Sequence, residues 1–185
     1  PFYFVWMTYL IVFLFKYSFT SWIAGFLLYS VGTVIVLQAS VIFTIIIIGF
    51  LTPMILGILH KKYYSHLQLD GYGTITSSIW VLVKSSFMMI FLFVILIPVY
   101  FVPVLNIIAF SIPFYYFFHK LLNFDVSSTI LNKEQYKIIY EKEANSFRLR
   151  TLFLYFISMI PFATLFTAVY YIIYLGHAYF VKLDE

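Results

Sequence analysis

The sequence predicts an all-α integral membrane protein with two transmembrane helices, two re-entrant helical hairpins and one amphipathic interfacial helix. Three observations carry that expectation. Residues 17–59 are forty-three positions without one Asp, Glu, Lys, Arg or His, whereas a bilayer-spanning helix needs only about 20 such residues. Two later apolar runs, 85–118 and 151–181, are interrupted by Pro98, Pro103, Pro113 and Pro161. If both runs double back, the cations Lys61, Lys62, Lys84, Lys120, those of the block up to Arg150, and Lys182 all share one side of the membrane and Lys16 alone lies opposite. Positive-inside bias favours that layout over one in which the 85–118 run crosses once.

Composition sets the limits. Charged residues make up 10% of the 185 and hydrophobic ones 64%, so burial in a water-soluble core is not open to most of this chain. Without Cys there is no disulfide, thiolate metal site or thiol nucleophile. Four His residues without clustered carboxylates offer no metal site, and no Ser is joined by spacing to a His and a carboxylate in a catalytic motif. No enzyme activity, cofactor, metal or nucleic-acid partner is expected; membrane lipid is.

Taken in order, residues 1–16 are the first span, apolar up to Lys16 and short enough that upstream residues are expected to complete it. Tyr17 and Trp22 flank a brief polar link, and the long second helix is expected over 23–62. Its densest part, 26–59, is about 50 Å at 1.5 Å per residue, against roughly 30 Å of hydrocarbon. Gly49, Pro53 and Gly57 lie on one face of it. Pro53 predicts a bend, and the glycines predict a seam where another helix approaches closely. His60, Lys61, Lys62, Tyr63 and Tyr64 mark the exit to water. Asp70-Gly71-Tyr72-Gly73 is a turn signal, and two glycines flanking one residue make no phosphate loop.

Hairpin one is expected over 79–122. A single helix through Pro98 and Pro103 would lose two ladder bonds in a medium that cannot replace them. The arms 85–97 and 104–118 would each be about 20 Å, too short to cross. Asn132 followed by Gln135 has the form of a capping box and opens an amphipathic helix over 132–149, with Tyr136, Tyr140, Ala144 and Phe147 at helical spacing. Hairpin two, 150–182, turns at Pro161. Its first arm is too short to span, while the 162–181 arm, about 30 Å, could do so.

Pro53, Pro98, Pro103, Asn123-Phe124-Asp125, Phe147-Arg148 and Ile160-Pro161, in this order of elements, resemble the bacterial CysZ sulfate permeases and the wider etoposide-induced-protein family. The resemblance implies two true spans with two hemi-penetrating hairpins, homo-oligomers in the bacterial inner membrane, and sulfate or a related oxyanion as substrate. A membrane scaffold without transport is the alternative, because eukaryotic members are described mainly through other processes. A lipid-handling protein of the DedA kind is third, and would be expected to carry charged residues inside its hairpins.

For an anion transporter of this layout, each hairpin's second arm begins near mid-membrane with a Pro: Pro103 with Asn106 behind it, and Pro161 with Thr164. Helix N-termini at that depth present unsatisfied N–H groups and a favourable dipole to an anion. These tips are expected to line the anion path, with Arg148 and Arg150 concentrating anions at its mouth. The plainer reading is that the tips only pack and the arginines mark the positive-inside interface. His177, inside an apolar run, is either a proton-coupling group or a hydrogen-bonded interfacial imidazole.

Overall fold

The computed structural model of the protein describes Val12 and residues 18–100, 102, 105–160 and 164–184. The expected first span, 1–16, and the tip prolines Pro103 and Pro161 lie outside the described residues. Two compact units divide the chain, Pro1–Val36 and Leu37–Glu185; all packing below lies within the second. Among the described residues there is no strand, and the helices are α1 (Ser18–Tyr63), α2 (Ile75–Ile95), the single turn α3 (Ile97–Tyr100), α4 (Leu105–Ile130), α5 (Lys133–Ser158) and α6 (Thr164–Asp184). Among the same residues three stretches are long and apolar enough to cross a membrane: Ile35–Tyr63 of α1, α2 and α4.

α1 runs for 46 residues and is not interrupted at Pro53. Its buried positions in the second unit are Gln38, Val41, Thr44, Ile45, Ile48, Thr52, Ile55, Leu56 and Leu59, recurring every three or four residues so that one seam faces its neighbours. The expected glycine seam on α1 is corrected by the structure. Nothing lies within 4 Å of a Cβ built on Gly57, and Gly49 meets only an Asp125 carboxyl oxygen at 3.8 Å. The tight contact comes from the other side, where a Cβ on Gly176 of α6 would press on Leu56 Cδ2.

α2 and α4 form an antiparallel hairpin. Phe93 packs edge-on against Phe114 and Tyr100 stacks on Phe110 near the tip. At the base the backbone N–H groups of Asp70, Tyr72 and Gly73 donate to the carbonyls of Ile130, Leu131 and Ser128. A Thr74 and Ser77 capping box starts α2. The turn signal at 70–73 is therefore a latch that closes the hairpin on itself. The arms are longer than expected: 21 residues in α2 and 26 in α4, or about 32 and 39 Å. Both helices continue past the charges at Lys84 and Lys120, since a Lys on an exposed helix face costs the ladder nothing.

α5 starts at the Asn132 and Gln135 capping box, with both reciprocal bonds at 2.9 Å. It merges the expected amphipathic helix with the first arm of hairpin two, bending at Glu143 (φ −115°, ψ 16°). No Pro or Gly lies between Asn132 and Pro161 to stop it. α6 returns antiparallel: Phe147 stacks on Tyr179, Arg150 lies over Tyr174, and Lys182 pairs with Glu143. The stripe Ala168, Tyr171, Ile172, Leu175 and Tyr179 of α6 is fully buried, at the i, i+3, i+4, i+7 spacing of a core-facing helix. Both hairpin openings gather at the end of α1: His60 bonds the Leu67 carbonyl, Tyr64 stacks on Phe180, and His66 pairs with Asp184.

Candidate functional site

Inside this apolar bundle, α4, α5 and α6 enclose a connected set of polar side chains. Asn123 follows His119 by one helical turn, so both face the same way, and both are buried. His119 Nδ1 lies 2.6 Å from Thr151 Oγ1, and its Nε2 lies 2.9 Å from the Tyr140 hydroxyl. The Thr151 hydroxyl donates to the Phe147 carbonyl, the Asn123 amide donates to the His119 carbonyl, and the Tyr179 hydroxyl donates to Asn123 Oδ1. The Asn123 amide nitrogen also lies 3.1 Å from His119 Nδ1, so the imidazole stands within reach of Thr151, Tyr140 and Asn123 and its two nitrogens divide donor and acceptor roles among them. A layer away, the Tyr155 hydroxyl donates towards Gln38 Oε1 at 3.0 Å and the Ser111 carbonyl at 3.1 Å. A polar group buried in so apolar a setting must find a partner or cost free energy. Here the partners come from three helices at once, so the network fixes their register.

Beside this network stand three cations. Lys120 of α4 lies within reach of the charges of Lys84 of α2 and Arg148 of α5, and Lys120 and Arg148 act on His119 as well. Lys120 also lies 5.6 Å from the Tyr140 ring centre. Among the described residues none of the three forms an ion pair with a carboxylate. Like charges left together without a counter-ion form a site whose field draws an anion. The Tyr115 hydroxyl donates to the Arg148 carbonyl at 2.9 Å and ties α4 to α5 at this level.

The other sequence-selected residues are distributed elsewhere. Arg148 and Arg150 part company: two residues on a helix are about 200° apart. Arg148 bonds Asn145 and joins the basic group, whereas Arg150 donates to Ser146 Oγ and lies 5.3 Å from the Tyr174 ring centre. Asn106 is the second residue of α4 and Thr164 the first of α6, so each opens a helix at its hairpin's tip. His177 is exposed on α6 and hydrogen-bonded through Nδ1 to the Tyr64 hydroxyl. Sequence reasoning missed the buried His119, Asn123, Thr151 and Tyr179. The readable signal was the i, i+4 pair of His119 and Asn123 on a helix otherwise rich in Phe and Leu.

Long apolar helices, two antiparallel hairpins and a polar network enclosed among them define an integral membrane protein of helical hairpins. The family model described as sulfate transporter CysZ/etoposide-induced protein 2.4 matches residues 2–168, and the chain belongs to that family. No curated protein and no solved structure gives a match.

Proposed function

We propose that the protein moves sulfate or a related oxyanion across the membrane, and that Lys84, Lys120 and Arg148 gather the anion beside the buried His119 network. The observation that carries this reading is the uncompensated basic group, set against a cluster of hydroxyl, amide and imidazole donors on a family member's hairpin bundle. A divalent oxyanion needs several N–H or O–H donors to replace its water, and the ammonium and guanidinium N–H groups of Lys84, Lys120 and Arg148 are such groups.

The same cations support the re-entrant layout. Lys84 and Lys120 face one another across hairpin one and mark where the hydrocarbon begins. Beyond them the uncharged parts of the arms are 11 and 14 residues, or about 17 and 21 Å. That falls short of roughly 30 Å; in this reading the tip ends inside the membrane and the Lys84 and Lys120 ammonium groups sit at its surface. The starts of α4 at Asn106 and α6 at Thr164 then offer N-terminal amides to the anion at depth, in a homo-oligomer of the inner membrane.

Sulfate flux into proteoliposomes tests the reading. Lys120→Gln with Arg148→Gln is expected to lower flux about tenfold or more at low ionic strength, with a smaller loss at high salt because exposed charges are screened. Wild-type flux no greater than that of empty liposomes overturns transport and leaves the scaffold role. Flux unchanged in the double variant overturns the role of the basic group.

A further inference from the structure

On the opposite side of α5 from the basic group, the chain forms a second feature. A groove of about 490 Å³ opens between α5, α6 and the end of α1, within the size range of sites that enclose small molecules. Its polar positions are Arg150, His177 and Lys182, and its walls are apolar, among them Leu59 and Ile173. No carboxylate lines it. Arg150 is held by two contacts, its Nε donating to Ser146 Oγ at 3.3 Å and its guanidinium lying 5.3 Å from the Tyr174 ring centre. Those contacts leave the terminal N–H groups of Arg150 without a protein partner among the described residues. Lys182 is positioned by Glu143 at 3.2 Å. A guanidinium held through Nε, with both terminal nitrogens left to donate, is a group that suits a phosphate.

The position of the groove narrows the ligand. It lies where α1 leaves the membrane, at Leu59 and Tyr63, with His60, Lys61 and Lys62 in the last turn. From Lys182 the lining descends α6 to Tyr170, twelve residues or about 18 Å towards the apolar end. A free oxyanion would leave most of such a wall unused. An amphiphile with an anionic head and an acyl tail matches both ends, and basic pockets between helices at the membrane surface are suited to anionic head groups.

We propose that this groove binds an anionic phospholipid, with its phosphate on Arg150 and Lys182 and an acyl chain along Leu59, Ile173 and the α6 wall. The site is separate from the proposed anion route, so either can fail without the other.

The test uses the full chain, delipidated in a neutral detergent, with native mass spectrometry after addition of phosphatidylglycerol or phosphatidylcholine. Phosphatidylglycerol is expected to be retained at least tenfold better. Arg150→Gln and Lys182→Gln are each expected to weaken that retention about fivefold, which is the effect of roughly 1 kcal/mol per basic residue at a membrane surface. Ile173→Trp, which fills the groove without changing charge, is expected to weaken retention of both lipids. Lys133→Gln, a surface cation at the start of α5, removes the same charge outside the groove and is expected to leave retention intact. Circular dichroism of each variant confirms that it is folded, and Lys182→Arg is expected to restore retention. Equal retention of the two lipids overturns the proposal. So does phosphatidylglycerol binding indifferent to Arg150→Gln and Ile173→Trp, displacement by millimolar inorganic phosphate, or a groove closed by a second copy, seen as a dimer that Ile173→Trp dissociates.

Discussion

Gly71→Ala is the most informative single change in hairpin one. A Cβ at Gly71 would lie 2.7 Å from the Thr129 carbonyl oxygen and 2.8 Å from that of Ser128. Ordinary van der Waals contact begins near 3.4 Å, so the latch must open by about 0.6 Å, and what it meets is backbone rather than a side chain that can swing aside. That shift falls on the three latch bonds, from Asp70, Tyr72 and Gly73 at 3.3, 3.2 and 2.9 Å. With a net value of about 0.5–1.5 kcal/mol each and overpacking costs of about 1–3 kcal/mol, loss of one or two bonds with partial relief of the clash gives about 2–4 kcal/mol. Reversible unfolding by sodium dodecyl sulfate in mixed micelles, followed by circular dichroism, measures it. Gly57→Ala is the matched control, because nothing lies within 4 Å of its Cβ. It is expected to be neutral or to stabilise by up to about 1 kcal/mol, from helix propensity alone. If Gly71→Ala unfolds at the wild-type midpoint, the loop at 70–73 is not a latch and hairpin one is held by its arms alone.

Three further outcomes follow from the same geometry. Asn123→Leu leaves the Tyr179 hydroxyl without its acceptor, and is expected to cost about 1–2 kcal/mol in the same titration, in line with buried polar contacts in membrane bundles. Tyr155→Phe breaks the links to Gln38 and Ser111 while keeping the ring, and should cost less, about 0.5–1.5 kcal/mol; an equal or larger loss than Asn123→Leu reverses the ranking of the two polar layers. Gly176→Ala presses on Leu56, which is fully buried, and is expected to destabilise by about 1–3 kcal/mol, detected as a lower midpoint that Leu56→Ala in the same chain partly restores.

Helix content and the pairing of helices into two antiparallel hairpins were legible because they rest on long-range features of the chain: an uncharged stretch too long for water, and proline breaks. The capping box at Asn132 was legible because its chemistry is local. The Thr74 box escaped notice because Ser77 stands where a Glu or Gln would have flagged it. Arm lengths are not legible at Lys84, Lys120 and Arg150, because charge marks a change of solvent and does not stop a helix: all three lie inside helices. The basic group was beyond reach, because its members, at 84, 120 and 148, come from three helices whose pairing no local pattern encodes. The polar network was half legible: His119 and Asn123 share a face by spacing, but Thr151 and Tyr179 join them only through tertiary packing.

The joint at Glu143 has a mechanical consequence. There α5 passes from its charged half to its apolar half, and the carboxylate at the knee is gripped by Lys182, near the far end of the returning helix. Because both side chains are about one-third exposed, the pair contributes at most about 1 kcal/mol to holding the bend, and it ties the knee of α5 to the end of α6.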